Sequence, residues 1–207
     1  MVLEIKYIKN QISPDELEYI KVRTPKRYAK CLEYKSLEER ISSLISRIMI
    51  CNNLNVDEDI IKYSELKKPY IKNGPYFNVS HSKEYTVFVK SENKIGIDIE
   101  YIDEKNIGIL DYAFNKDEQD YILECKDNYG STERLTKLWT IKESLFKASG
   151  AREYIEPKDI KVNCNNTIEF FDEVYNVYSF KYLDYIISVS SIIKYDDVLL
   201  VNDRIIY

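Results

Sequence analysis

Apolar and polar residues alternate or recur along this chain in patterns that predict most of its elements. Leu3, Ile5 and Tyr7 alternate with Glu4 and Lys6, so Val2 to Lys9 reads as a strand. Ser13-Pro14-Asp15-Glu16 supplies a cap and a first-turn proline for a helix from Pro14 to Lys21. Ile41, Leu44, Ile45 and Ile48 recur at helical spacing and predict a helix over Leu37 to Asn52. An apolar stretch at Tyr85 to Val89 and an alternating strand, Ile95 to Tyr101, follow. A helix near Lys116 to Cys125 and a polar loop, Asp127-Asn128-Tyr129-Gly130, lead to the strongest helix, Thr132 to Ser149, stopped by Gly150. From Ile160 onward, short β-branched and aromatic runs (Ile160 to Val162, Thr167 to Phe171, Val174 to Tyr182, Tyr185 to Ser190, Val198 to Ile206) predict a meander of antiparallel strands. Helices and strands mix without regular alternation, so the expected class is α+β. A boundary near residue 102 gives each half, 1–102 and 103–207, one sheet and its helices.

Composition narrows the function classes. A net charge of −5 and a pI near 5.2 argue against a dedicated nucleic-acid binder. The longest uncharged run, Asn73 to Ser82, is about half the roughly 20 residues a membrane-spanning helix needs. Met1 to Asn10 has no apolar signal-peptide core, so the chain is expected to be cytoplasmic. Cys31, Cys51, Cys125 and Cys164 form no C-x-x-C pair and are read as reduced thiols.

Four constellations could carry chemistry. Asp98 and Glu100 point to one face of a strand, about 7 Å apart, and repel each other unless a positive charge sits between them. Mg²⁺ accepts such oxygen-only ligands; two solvated acids on an edge strand are the plainer alternative. Glu143 and Lys147 stand four apart on a helix, with Lys142 beside them, as a ligand-binding set or a surface ion pair. His81, the one histidine, lies among small hydroxylated residues in Asn78-Val79-Ser80-His81-Ser82, read as an anion-binding turn or as a loop without a role. Lys21 to Lys30 carries five positive charges and no acid, and Lys67, Lys68 and Lys72 add a second basic cluster. Each is either a solvated face or the footprint of a phosphate-rich ligand.

Taken in order, Lys68-Pro69, Phe77-Asn78-Val79-Ser80-His81-Ser82, Gly96-Ile97-Asp98-Ile99-Glu100, Phe114 to Glu118, and Trp139-Thr140-Ile141-Lys142-Glu143-Ser144-Leu145-Phe146-Lys147 resemble the motifs of 4′-phosphopantetheinyl transferases, in the two-lobed, Sfp-type branch. The resemblance spans residues from about 20 to about 150. It implies two similar α+β lobes, each a small, mostly antiparallel sheet packed with helices, with a ligand cleft between them. It implies Mg²⁺-dependent transfer of the phosphopantetheine arm of coenzyme A to a serine of an acyl or peptidyl carrier protein, releasing adenosine 3′,5′-bisphosphate. Asp98, Glu100 and Glu143 would hold the metal, bridging the lobes, and Glu143 would take the serine proton. Lys147 would meet the pyrophosphate, His81 the 3′-phosphate, and Ser80 and Lys68 the adenosine. Arg27, Lys30 and the helix residue Arg40 match the family's further 3′-phosphate contacts. Ile107, Ile109, Leu110, Tyr112 and Phe114 are candidates for carrier docking or for core packing, and the branch resembles monomers. A binding module that lost turnover would not need Glu143, and a metal-dependent phosphodiesterase would need more ligands than the sequence offers; the enzyme reading is preferred.

Overall fold

The computed structural model describes residues 1–125, 127–150, 155–162 and 166–206. The first 92 residues and the last 13 of the chain, 195–207, belong to one unit, and 93–194 to another. The class is α+β, with its sheets in two groups.

In the first unit, β1 (Val2–Lys9) leads to α1 (Pro14–Arg23), whose start closes a full capping box: Glu16 N–H donates to Ser13 Oγ and Ser13 N–H donates to the Glu16 carboxylate. α2 (Pro25–Cys31) follows at once and α3 (Leu37–Leu54) after a short loop. Leu44, Ile45 and Ile48 of α3 are buried, as their spacing predicts, in a core with Ile8, Ile20, Phe77 and Phe88. A two-stranded ribbon, β2 (Ile61–Tyr63) and β3 (Pro69–Ile71), precedes the hairpin of β4 (Tyr76–Ser82) and β5 (Tyr85–Ser91).

The second unit opens with β6 (Ile95–Tyr101), then the short α4 (Leu110–Ala113), α5 (Lys116–Leu123) and the long α6 (Asn128–Ser149). β7 (Thr167–Phe170), β8 (Glu173–Tyr182) and β9 (Tyr185–Ser191) complete an antiparallel sheet in the order β6-β9-β8-β7.

Several expectations are corrected. The last strand, β10 (Asp197–Asn202), does not extend the meander; it pairs in parallel with β1, from Val2 opposite Asp197 to Tyr7 opposite Asn202. The first sheet is therefore ordered β10-β1-β5-β4. That pairing takes the C-terminus into the first unit, and the pairing of β6 with β9 takes residues 95–101 into the second. The chain divides after residue 92, not near 102. Ile160 to Val162 lies outside any strand, and Asn128 to Gly130 forms the first turn of α6, capped by the Asp127 side chain, instead of a loop. The segment read as an anion-binding turn, Asn78 to Ser82, is strand β4. Cys31, Cys51 and Cys125 are free thiols; Cys164 lies outside the described residues.

Candidate active site

The carboxylate-bearing face of β6 is not open to water, because α6 lies across it. Gly96 permits the approach: a Cβ there would stand 2.1 Å from the Ser144 carbonyl oxygen and 2.4 Å from the Ala148 nitrogen. Hydroxyl pairs fasten the same helix to β9, the neighbour of β6. Thr140 Oγ1 lies 2.7 Å from Ser188 Oγ, and Ser144 Oγ lies 2.7 Å from Ser190 Oγ. Ser188 is in register with Asp98 and Ser190 with Gly96, so the seam runs beside the acids.

Within the second unit this packing brings Asp98 and Lys147 into contact. Asp98 is 2% exposed, and its Oδ1 accepts a hydrogen bond from Lys147 Nζ at 2.5 Å. Burial disfavours the Lys147 charge, yet the carboxylates of Asp98, Glu143 and Glu100 outweigh it and hold the ammonium above its ordinary range. Glu143 is shifted the other way. Burial, assisted by the Asp98 charge, raises its carboxyl above the usual range against the pull of Lys147. Asp98, Glu100 and Glu143 thus all act on the Lys147 ammonium. Among the described residues no three His, Cys, Asp or Glu side chains stand close enough together to hold a metal ion. The donor chemistry nevertheless fits a hard divalent cation, since all three acids offer only oxygen and already collect positive charge.

Beside them, Lys142 is 1% exposed and makes no surface pair. Its Nζ donates to Glu118 Oε2 at 2.6 Å, to the Ala113 carbonyl at 2.9 Å and to the Pro157 carbonyl at 3.0 Å. Glu118 in turn accepts from the backbone N–H groups of Asn115 and Val162. A fully satisfied buried ion pair therefore joins α5, α6 and the segment after α6, and fixes the turn of helix that carries Glu143.

The residues expected at the 3′-phosphate and adenosine lie in the first unit. Arg27 and His81 line one cavity of about 560 Å³, together with Ser43, Ser46, Arg47 and Tyr63. Lys30, Arg40, Lys68 and Ser80 are not part of its wall. Arg40 Nε donates to the Tyr34 carbonyl at 2.6 Å, and strand alternation puts Ser80 on the opposite face of β4 from His81. Arg27 is held in place through its own helix start, where Glu58 accepts from the N–H groups of Lys26 and Arg27. Sequence reading missed Arg47, although a charged residue three positions after Leu44 falls on the apolar stripe of α3 and marks a buried cation. Tyr63, on a three-residue strand, carries no comparable signal.

Of the docking candidates, Phe114 is buried and Ile109 and Leu110 pack against its cluster, whereas Ile107 and Tyr112 are exposed.

The family model of the 4′-phosphopantetheinyl transferase superfamily matches residues 94–189, from β6 through β9. The chain is 30% identical over 176 residues to the 4′-phosphopantetheinyl transferase gsp of Aneurinibacillus migulanus, covering 80% of this chain and 73% of that protein. It is 29% identical over 153 residues to the 4′-phosphopantetheinyl transferase Sfp of Bacillus subtilis, covering 70% and 68%. A partial structural likeness links it to the holo-[acyl-carrier-protein] synthase of Thermotoga maritima, with a TM-score of 0.35 and 16% identity over 47% of this chain and 61% of that one. With its ordered motifs, its acids gathered around Lys147 and relatives of this extent, the chain belongs to the 4′-phosphopantetheinyl transferases and is an enzyme of that family.

Proposed function

We propose that the protein transfers the phosphopantetheine arm of coenzyme A to a serine of an acyl or peptidyl carrier protein, with Mg²⁺, and releases adenosine 3′,5′-bisphosphate. The observation that carries this reading is the grouping of Asp98, Glu100 and Glu143 around the Lys147 ammonium. A cytoplasmic, monomeric enzyme accords with the family resemblance.

Asp98, Glu100 and Glu143 would hold Mg²⁺, which supplies neutralisation of the charge that develops on the diphosphate as its bond breaks. Lys147 orients the diphosphate and stabilises the leaving bisphosphate as a second cation. The seryl oxygen attacks the phosphorus that bears the pantetheine arm, and the bond from that phosphorus to the bisphosphate oxygen breaks. Glu143 accepts the hydroxyl proton. Its carboxylate stands one helical turn before Lys147 on α6, beside the cation that orients the diphosphate. Arg27 and His81 would bind the nucleotide end, with Lys30, Arg40, Lys68 and Ser80 as the further candidates.

Incubation of apo carrier proteins with coenzyme A and Mg²⁺, followed by intact-mass measurement, tests the reading. A carrier should gain the arm, and a chelator should abolish the gain. Transfer undiminished by chelation, or no gain on fatty-acid, polyketide or peptidyl carriers, would overturn it.

A further inference from the structure

We propose that Arg47 and Tyr63 are specificity residues for a phosphate monoester on the nucleotide end of the donor, Tyr63 positioning the two guanidiniums that grip it. The inference rests on the coenzyme A reading above and assigns, within it, two residues outside the motifs that carry the family resemblance.

Arg47 is 6% exposed, and a guanidinium so removed from water ordinarily pairs with a carboxylate. Among the described residues no carboxylate pairs with it. Arg47 Nη2 donates to the Tyr63 hydroxyl, and Arg27 Nη2 donates to the same oxygen. The other hydrogen bonds of the Arg27 guanidinium go to hydroxyls as well, Ser43 Oγ at 3.3 Å and Tyr34 at 3.5 Å. Both guanidiniums also lie near the Tyr63 ring, 5.8 Å and 5.5 Å from its centroid.

Two like charges on one neutral oxygen repel each other, and a phenol oxygen accepts no more than these two bonds. Tyr63 therefore holds the pair side by side without neutralising either. Each guanidinium keeps further N–H donors in a planar fork that suits phosphate oxygens. A phosphate monoester, with a charge near −2, matches two arginines; a diester, with one negative charge, does not. Ser46 Oγ points to the same ligand independently, being buried at this cavity without a hydrogen-bond partner among the described residues. Among the described residues that line the cavity the one acid, Glu39, is exposed.

Calorimetric titration of the full chain with adenosine 3′,5′-bisphosphate and with adenosine 5′-monophosphate tests the proposal without requiring transfer. The wild type should prefer the bisphosphate. Arg47→Met should cut the preference by about 10- to 100-fold, Arg47→Lys by less, and Tyr63→Phe, which keeps the ring and removes the acceptor, by about 5-fold. Because Tyr63 acts through the arginines, its effect should shrink in the Arg47→Met background. Wild-type preference retained in full by Arg47→Met and by Tyr63→Phe would overturn this proposal alone. Binding of neither nucleotide by the wild type would overturn the coenzyme A reading, and this proposal with it.

Discussion

Asp98 and Lys147 are joined at 2.5 Å, although one lies on a strand and the other 49 residues later on a helix. Their meeting depends on a third residue that carries no charge. Gly96, two positions before Asp98, lets α6 settle on β6 with its backbone almost in contact.

Gly96→Ala should therefore move α6. The added carbon meets backbone atoms, which cannot rotate away, so the helix must lift from the sheet. Overpacking of this kind costs about 3 kcal/mol, which urea unfolding would report as a lower midpoint at unchanged slope. Wild-type stability in this variant would mean that the strand and helix do not approach as described.

The Lys142–Glu118 pair is tested by removing one partner. Lys142→Met leaves a carboxylate, 5% exposed, that has lost its cation, and should cost about 3–5 kcal/mol. Burial pulls the Lys142 pKa below its ordinary value, and the hydrogen bond and charge of Glu118 offset only part of that pull. A second substitution, Glu118→Gln, in the Lys142→Met background should cost far less than Glu118→Gln alone, a coupling that a double-mutant cycle measures directly. Additive losses would contradict the pairing.

Cys51 supplies a pH signature. Burial pushes its thiol up to about 11, against an ordinary value of 9.0. Between these values the unfolded chain releases a proton that the folded chain keeps, so stability falls as pH rises from about 9 to about 11 and is unaffected by this group below that window. Cys51→Ala should show a shallower decline over the same interval. Alkylation at pH 8.5 should reach the partly exposed Cys125 well before Cys51. Equal alkylation rates would contradict the burial of Cys51.

What could be read in the sequence, and what could not, follows from the range of the interactions. The α3 core stripe and the Ser13 capping box are local and periodic, and both appear where the pattern puts them. Asp98, Glu100, Glu143 and Lys147 stand out in the sequence as ordered motifs, but the expectation that the acids come from two lobes is not met, because the pairing of β6 with β9 puts all four residues in one unit. The parallel pairing of β10 with β1 left no trace, because strand alternation is the same for either partner and either direction. The strand at Asn78 to Ser82 was hidden for a related reason. Asn78 and Ser80 are buried while His81 is exposed, which reverses the usual polarity of an alternating strand. Lys142 reads in the sequence only as a neighbour of the Glu143–Lys147 pair, because its own partner, Glu118, is 24 residues away and only tertiary packing brings it near.

If the acids around Lys147 carry the transfer, one paired measurement shows it. Asp98→Asn and Glu143→Gln, each close in shape to the original, should still bind coenzyme A in calorimetric titration, while the intact mass of an apo carrier incubated with either variant and Mg²⁺ stays that of the unmodified protein. A carrier fully loaded by Glu143→Gln at the wild-type rate would contradict the account.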